Sequence, residues 1–549
     1  MRGSMRLNRS KHFDVLVVGS GIAGTMAALS AARAGARTAI ASLGPLFSGS
    51  SFYPGTWGLG LIGPESPSDE ADLAKQILDV GCGMTDPALV ASFVGGISSG
   101  IEQLEALGVT LKEPKRAQER EFVPCFDRKH RLWRGIERAP FERAAAAELA
   151  RLNIDVLSPW ELIDLVMQEG TATGAVLFDH ATRSFELVAC GAVVLATGGY
   201  GGLFERRLTA DDVQGTAQAL ALRSGCTLVN LEFMQMMPGL VRPKSGIVFN
   251  EKTFRFAQLL DTEGRDALRE VADARFALEA RSGHGPFTAR LASRDVDLAL
   301  ANAGPRGLTV RYRFDGASPL PEFVRTYFDW LKRDRGIQID DELVIAPYAH
   351  AANGGILIDK HAATGVDGLY ACGEATGGMH GADRIGGLSS ANGIVFGLRA
   401  GASAASRAAR ANAQSNRQPQ AHAAFEGIGI EHGSDIRAAL RRIMTESCMI
   451  VRSEDGLSAA QEALENLAAQ TESAKRRTED PRQVAEAARI TAQLTLARSI
   501  VEAARTRTES RGAHYRLDFP ASDPAQARPL AVSLGSNGSP AARPLRQRR

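Results

Sequence analysis

A strand, a glycine-rich turn and a helix near the start of the sequence limit the fold more than any other feature. Residues 13–42 read FDVLVVGSGIAGTMAALSAARAGARTAIAS, in which VLVV precedes GSGIAG, an alanine-rich helix follows, and TAIA forms a second strand. The three glycines have the spacing that permits a tight turn, close approach of a pyrophosphate, and packing of helix on strand. The phosphate would then lie at the positive end of the helix. The predicted contact residues are Gly19, Gly21, Ile22, Ala23 and Gly24.

A second apolar strand, VVLATGG, ends in the same way, and ligands of open α/β sheets bind at such carboxyl ends. The strand after the helix ends at Ser42, where an NAD-binding fold would normally carry Asp or Glu, so plain NAD binding is disfavoured. The next segment, GPLFSGSSFYPGTWGLG, either wraps a pyrophosphate or a ring, or forms a surface loop. The further residues predicted to contact the cofactor are Ser42, Ser50, Ser51, Thr197, Gly198 and Gly199.

Charge, hydropathy and cysteine content exclude several classes of function. The net charge of +2 in 549 residues gives no overall basic field for nucleic acid. No apolar run reaches the roughly 18–20 residues that span a bilayer, so we expect no membrane span. The six cysteines are scattered without a CxxC pair, which predicts no metal site and no disulfide framework. A cytoplasmic location is the expectation.

A glycine-rich stretch at residues 349–387 predicts the place where cofactor and substrate meet. It reads as a strand followed by a loop, and it contains His350, His380 and Arg384. Glycine lets backbone N–H groups approach a ligand closely, and an arginine in such a loop favours an anion such as a carboxylate. The stretch therefore predicts a site for a small acidic molecule beside the cofactor.

Taken together, these motifs resemble one family. GSGIAG, VVLATGG, ASRD, AHAANGG, GLYACGEATGGMHGADRIGG and ESRGAHYRLDFP stand in the order seen in the succinate dehydrogenase/fumarate reductase flavoproteins. L-aspartate oxidases have the most similar layout among its members. The resemblance implies an α/β fold with a Rossmann-like two-part FAD-binding domain, an inserted α+β capping domain and a C-terminal helical domain. The expected bounds are 1–240 and 346–410 for the FAD-binding domain, 241–345 for the capping domain, 425–520 for the helical domain and 521–549 for a disordered tail.

The resemblance also assigns roles to individual residues. Arg294 of the SRD motif matches the arginine that transfers a proton, and His350 and Arg384 match the residues that hold one substrate carboxylate. Glu374 and Ser389 join the predicted cofactor-binding residues. Ser50 stands where respiratory members carry the histidine that attaches FAD covalently, so the resemblance implies non-covalent FAD.

The sequence departs from the family pattern at the second carboxylate site. Members that act on dicarboxylates read EFxQFHPT where this sequence reads EFMQMMPG, so Met237 occupies the position of a carboxylate-binding histidine. Asn250 stands at the approximate position of a threonine that assists it. Methionine carries no charge and no strong hydrogen-bond donor, which predicts a changed substrate-binding site at Met237 and Asn250.

Three functions remain open from the sequence. One is an FAD-dependent oxidase of the L-aspartate oxidase type, which converts a small amino acid to an imino acid. Another is a fumarate reductase, a succinate dehydrogenase or a dehydrogenase of some other amino or unsaturated acid. A third is a partner-dependent electron-transfer flavoprotein with little catalysis of its own. The expected electron acceptor is O2 or fumarate, and the sequence leaves the substrate acid and the oligomeric state undetermined.

Overall fold

A computed structural model describes residues 4–5, 8–113, 121–122, 125–314, 320–414 and 425–546. The helices are α1 (Ile22–Arg33), α2 (Pro67–Val80), α3 (Pro87–Val94), α4 (Ile97–Ala106), α5 (Arg138–Arg151), α6 (Thr216–Arg223), α7 (Ala274–Arg281), α8 (Arg294–Asn302), α9 (Glu322–Trp330), α10 (Leu388–Gln414), α11 (Gly433–Ser447), α12 (Glu454–Ala474) and α13 (Pro481–Thr506).

The strands are β1 (Ser4–Met5), β2 (Asn8–Val18), β3 (Thr38–Ala41), β4 (Leu59–Ile62), β5 (Glu121–Phe122), β6 (Arg131–Ile136), β7 (Asp155–Leu157), β8 (Trp160–Gln168), β9 (Thr171–Asp179), β10 (Ser184–Leu195), β11 (Leu228–Val229), β12 (Met234–Arg242), β13 (Ile247–Val248), β14 (Ala257–Leu260), β15 (Leu308–Tyr312), β16 (Leu343–Ala352), β17 (Gly355–Leu357), β18 (Leu369–Ala371), β19 (Thr376–Gly377), β20 (Phe425–Glu426), β21 (Ile428–Ile430), β22 (Val451–Arg452), β23 (Lys475–Arg477), β24 (Tyr515–Arg516), β25 (Leu530–Leu534) and β26 (Pro540–Pro544).

The central sheet is the doubly wound sheet that the glycine fingerprint predicts. Its strand order is β7-β3-β2-β10-β9-β8, and β18 also pairs with β10. Strands β2, β3, β7, β10 and β18 run parallel, whereas β9 and β8 form an antiparallel extension. The apolar run that precedes GSGIAG is fully enclosed, since Val15, Leu16 and Val17 have no exposed surface. The α/β class and its Rossmann-like sheet are confirmed.

Helix α10 packs on α1 and covers the same face of the sheet. Its alanine and glycine residues allow a very close approach, because a Cβ at Gly401 would lie 2.1 Å from the Ala27 carbonyl oxygen. The chain reaches α10 directly from the loop that carries His380 and Arg384. The packing of α10 on α1 therefore holds the predicted acid-binding loop beside the predicted phosphate-binding turn.

A second sheet, with strand order β13-β12-β16-β15-β14, has a hydrophobic core of its own. That core includes Leu240, Phe249, Tyr327 and Ile345, and helices α7, α8 and α9 cover it. Strand β12 ends at Arg242, near the predicted boundary at 240, and β16 begins at Leu343, near the predicted boundary at 346. The two strands pair along their length, so each crosses its predicted boundary. The exact domain bounds stay a prediction.

Helices α11, α12 and α13 form the predicted C-terminal helical region. A buried charge network ties the end of α13 to the segment before β12: Arg507 contacts the carboxylates of Glu232 at 2.7 Å and Glu509 at 2.9 Å. All three side chains are almost completely buried. Removing one partner from such a network leaves an uncompensated buried charge, so this contact holds the helical region on the rest of the fold.

The expectation of a disordered tail at 521–549 is wrong for residues 521–546, whereas 547–549 lie outside the described residues. Strand β25 pairs with β11, and β26 pairs with β25, so the tail completes a five-stranded sheet with order β19-β17-β11-β25-β26. The composition is rich in Pro, Ala, Ser, Gly and Arg, but Leu530 and Val532 alternate with less buried neighbours, as a half-buried strand requires. The tail is ordered because β25 pairs with β11, which is distant in sequence, and composition does not reveal such a pairing.

No helix in the described parts of the chain combines the length and the apolar character that crossing a membrane requires.

The buried position of Val532 makes the ordered tail testable. Val532 has no exposed surface, so Val532→Ala removes buried methyl groups and should lower the free energy of unfolding by about 2 kcal/mol. Ser533→Ala, at the adjacent exposed position, should change it by less than about 0.5 kcal/mol. Denaturant unfolding of the holoenzyme measures both, and equal stabilities would contradict the pairing of β25 with the core.

Candidate active site

A cavity of about 380 Å³ lies at the carboxyl ends of β2 and β10. Its size falls in the range of small-molecule and cofactor sites. Most of the predicted cofactor-binding residues line it: Gly19, Gly21, Ile22, Ala23, Ser42, Ser50, Ser51, Thr197, Gly198, Glu374 and Ser389. Gly24 and Gly199 stand behind the lining. The structure thus brings together side chains and turns from four separate parts of the sequence.

The glycine turn shapes one end of this cavity. Gly19 adopts φ +109°, and a Cβ there would lie 2.2 Å from the Ala196 carbonyl oxygen. A Cβ at Gly24 would lie 1.8 Å from the Gly19 carbonyl oxygen, so only glycine lets α1 sit this close to β2. The N-cap residue Gly21 has no side chain, and the Ser51 hydroxyl accepts a hydrogen bond from the Ile22 amide at 3.2 Å. Backbone N–H groups at this terminus, which lines the cavity, suit an anionic group such as a pyrophosphate.

Polar side chains on the cavity wall fit a polar cofactor. The hydroxyl oxygens of Ser50 and Thr197 are buried and have no hydrogen-bond partner among the described residues. A buried polar atom without a partner is costly, and a bound ligand can satisfy it. Ser42, which follows β3, shares a 2.7 Å hydrogen bond with Ser20. The glycine turn, these hydroxyls and the helix terminus all fit FAD.

Glu374 faces the cavity from the loop after β18. Its Oε1 accepts a hydrogen bond from the Ala352 amide at 2.9 Å, and burial raises the pKa of its carboxyl group. Gly199 lies directly behind it, because a Cβ at Gly199 would lie 2.4 Å from the Glu374 carboxylate oxygen. Gly199 therefore makes room for Glu374, and its contact with the cofactor stays a prediction.

Arg384 and His350, here called the acid-binding pair, both line the cavity. Gln235 Oε1 accepts hydrogen bonds from Arg384 Nε at 3.2 Å and Nη2 at 2.8 Å, and these bonds orient the guanidinium. Asp383, next to Arg384 in sequence, is held by Arg290 at 2.7 Å and by Thr288 at 2.8 Å. The neighbouring carboxylate is therefore already paired, and Arg384 keeps N–H donors for a ligand.

A β-bulge positions His350. In the pairing of β12 with β16, Gln235 lies opposite Ala351 while Met236 lies opposite Ala349, so His350 is the extra residue. Its Nδ1 is buried and has no hydrogen-bond partner among the described residues. Burial, reinforced by the Arg384 guanidinium, lowers the pKa of His350 to about 4. At neutral pH the ring is uncharged, with one N–H donor and one acceptor.

Met237, Cys125 and Glu251 line another part of the cavity wall. Met237 belongs to an apolar cluster with Leu208 and Val248. The thiol of Cys125 lies 3.9 Å from Glu251 Oε1, and burial followed by the Glu251 carboxylate raises the pKa of Cys125 to about 11. This wall therefore combines an apolar surface with one carboxylate.

Besides Gly24 and Gly199, two more predicted site residues, Asn250 and Arg294, lie outside the cavity lining. Asn250 is buried, and its Oδ1 accepts a hydrogen bond from the Lys252 amide at the start of a short 3-10 helix. Arg294 begins α8, as predicted, but its guanidinium lies 5.8 Å from the centre of the Tyr515 ring and 3.7 Å from Asp295. Arg294 Nη1 donates a hydrogen bond to the Ala289 carbonyl oxygen at 3.4 Å, and its catalytic role stays a prediction.

Sequence reasoning missed two residues that the structure places in or beside the site. Gln235 stands two residues before Met237 in the segment EFMQMMPG, and strand alternation would have directed both side chains to the same region. Glu251 follows Asn250 immediately, and its acidic side chain was the available signal. His380, noted in the glycine-rich loop, also lines the cavity, and burial holds its pKa well below the ordinary value.

Comparison with known proteins identifies the cofactor class. A family model described as FAD binding domain matches residues 14–390, and one described as Fumarate reductase flavoprotein C-term matches residues 437–539. The chain is 32% identical over 530 residues to an L-aspartate oxidase of Halobacterium salinarum, covering 93% of this chain and 98% of that protein. An L-aspartate oxidase of Streptomyces coelicolor is 30% identical over 544 residues, covering 92% and 88%. The solved quinol fumarate reductase of E. coli is similar in fold, with a TM-score of 0.81, 23% identity and coverage of 98% and 97%.

The contact of Gly24 with the turn predicts a loss of cofactor. Because its Cβ would collide with the Gly19 carbonyl oxygen, Gly24→Ala should displace α1, lower stability by about 1–3 kcal/mol and lower the FAD bound per chain. Gly95→Ala is the matched control, since its Cβ would meet its nearest atom at 3.4 Å. The absorbance of purified protein gives the FAD content, and full occupancy of Gly24→Ala would contradict the proposed packing.

The low pKa of His350 predicts its titration. In the substrate-free holoenzyme His350 should stay neutral from pH 8 down to about pH 5.5 and titrate near its pKa of about 4. Since this pKa is lower than that of an unfolded histidine, the contribution of His350 to stability is present above about pH 6.5 and is lost as the pH falls toward 4. NMR of isotope-labelled histidine measures this, with His350→Gln to assign the signal, and a midpoint near 6.5 would contradict the burial argument.

Proposed function

This chain belongs to the succinate dehydrogenase/fumarate reductase flavoprotein family and is an FAD-dependent oxidoreductase, and on that premise we propose that it oxidises a small carboxylic acid. The proposed substrate is an amino acid and the product its imino acid, as in a reaction of the L-aspartate oxidase type. The acid-binding pair is the observation that carries this proposal. A guanidinium with free N–H donors beside a neutral imidazole is a suitable site for one carboxylate.

FAD held in the cavity supplies the two-electron acceptor for a hydride that leaves the substrate Cα. The glycine turn, Ser50, Thr197 and Glu374 are the proposed contacts that hold this cofactor. Ser50 lines the cavity where respiratory members are expected to carry a histidine, and serine has no ring nitrogen for that covalent bond. The proposed attachment is therefore non-covalent.

The chain's own residues position the substrate and accept its proton. Arg384 and His350 fix the carboxylate, and this contact restricts the orientation of the adjacent Cα–H bond. An ammonium group must lose one proton when the carbon loses its hydride, which leaves a protonated imine. Glu251 is the proposed acceptor of that proton, because its carboxylate lines the cavity wall near Cys125. O2 or fumarate is the proposed acceptor of the two electrons.

The catalytic role of Arg294 stays a prediction. Arg294 does not line the cavity, and its guanidinium lies 5.8 Å from the centre of the Tyr515 ring. Single-turnover reduction of the flavin in Arg294→Leu tests this role. A loss of reduction with unchanged binding of the acid would support the role, whereas unchanged reduction would remove Arg294 from the mechanism.

The proposed function is tested by anaerobic titration of the yellow protein with amino acids and other small acids, beginning with L-aspartate. Arg384→Gln should lower the second-order rate constant of flavin reduction about 100-fold or more, since it removes a charge-assisted contact to the carboxylate. Its FAD content should be unchanged.

Arg410→Gln provides the matched control, because Arg410 is exposed on α10 and lies outside the cavity lining. Its rate constant should equal that of the wild type. The proposal is wrong if no carboxylic acid reduces the flavin. It is also wrong if the acid reduces the flavin of Arg384→Gln as fast as that of the wild type.

A further inference from the structure

The charges on the cavity wall restrict the kind of acid that fits. Among the described lining residues, Arg384 is the one lysine or arginine. Four carboxylates line the same cavity, those of Glu161, Asp212, Glu251 and Glu374. Two of them are already held, because Arg489 pairs with Glu161 at short range and Ser48 donates a 2.5 Å hydrogen bond to Asp212. The cavity therefore offers a strong anchor for one carboxylate.

The wall that carries Met237 is compact and apolar. A Cβ at Gly285 would lie 3.1 Å from Met237 Cε and 3.8 Å from Cys125 Sγ, so these three residues meet at one place. Gly285 also donates its amide hydrogen to Cys125 Sγ at 3.2 Å. Leu208 and Val248 belong to the same apolar cluster as Met237 and also line the cavity. A substrate group at this wall loses its water and gains contact with apolar carbon and sulfur.

Cys125 links this wall to the acid-binding pair. Its carbonyl oxygen accepts a hydrogen bond at 3.1 Å from the amide of Gly386, two residues after Arg384. The Arg384 and Glu251 charges both act on the Cys125 thiol. One small molecule can therefore place a carboxylate on Arg384 and an ammonium group toward Glu251, and its side chain then lies against Met237.

A second substrate carboxylate would be unfavourable at this wall. It would lose hydration without a cation to replace the water, and Glu251 would repel it. Lys252 is close enough to oppose the effect of Glu251 on Cys125, but it does not line the cavity.

We propose that the substrate is an amino acid with a single carboxylate and an uncharged, mainly apolar side chain, which lies against Met237, Cys125, Leu208 and Val248. Met237 is the specificity-determining residue that excludes dicarboxylates such as aspartate. This inference rests on the proposed function and narrows its substrate class.

Inert ligands separate binding from turnover. α-Methylleucine and α-methylaspartate both lack the Cα hydrogen, so neither can be oxidised by hydride loss. They differ in that two methyl groups of one replace the two carboxylate oxygens of the other. Calorimetric titration of the wild-type holoenzyme should show that α-methylleucine binds at least about 10-fold more tightly. Tighter binding of α-methylaspartate would overturn the inference and leave the proposed function standing.

Variants at position 237 test the assigned residue. Met237→Lys adds a cation on an unbranched side chain of similar length, and it should reverse the preference toward α-methylaspartate. Met237→Leu keeps the wall apolar and should preserve the wild-type preference. An unchanged preference in Met237→Lys, with FAD content and melting temperature like those of the wild type, would overturn the role of Met237.

A third ligand tests the ammonium contact. Glu251→Gln should lower the affinity for α-methylleucine. It should leave the affinity for 4-methylpentanoate, which has no ammonium group, unchanged. An equal loss of affinity for both ligands would overturn the assigned contact. If neither ligand nor any carboxylate binds the wild type, and Arg384→Gln changes nothing, then the proposed function fails together with this inference.

Discussion

The close approach of three backbone segments at the glycine turn is the constraint on which the rest of the structure depends. A side chain at Gly19 or Gly24 would collide with a carbonyl oxygen, so α1 can lie against β2 and β10 only when both positions are glycine. That contact directs the N-terminus of α1 at the cavity. It also provides the surface on which α10 packs, and α10 holds the loop of Arg384 beside the turn.

The chemistry of the site follows from how its few charges are paired. Gln235 orients Arg384, and Arg290 neutralises the adjacent Asp383. Burial keeps His350 uncharged, so the acid-binding pair carries a single positive charge. The cavity is therefore suited to one anion, whereas the apolar wall at Met237 and the carboxylate of Glu251 do not favour a second one.

Much of the fold and part of the site could be predicted from the sequence. Regular patterns predicted the parallel sheet, the glycine turn and the helical C-terminal region, because their physical causes act over a few neighbouring residues. The prediction of a disordered tail was wrong, because β25 pairs with β11, which lies some three hundred residues earlier in the chain. Glu251 and Gln235 were missed for the same reason: only the fold shows which side chains share a cavity.

The sequence by itself determined which residues can hold a dinucleotide and one carboxylate, because glycine spacing and residue chemistry are local properties. Tertiary structure decided how those residues are arranged. In the folded chain, Asn250 and Arg294 lie outside the cavity lining. Gly199 lies against Glu374, and Met237 lies against Gly285. These outcomes depend on long-range packing and on the balance of buried charges, and neither is encoded in the spacing of residues along the chain.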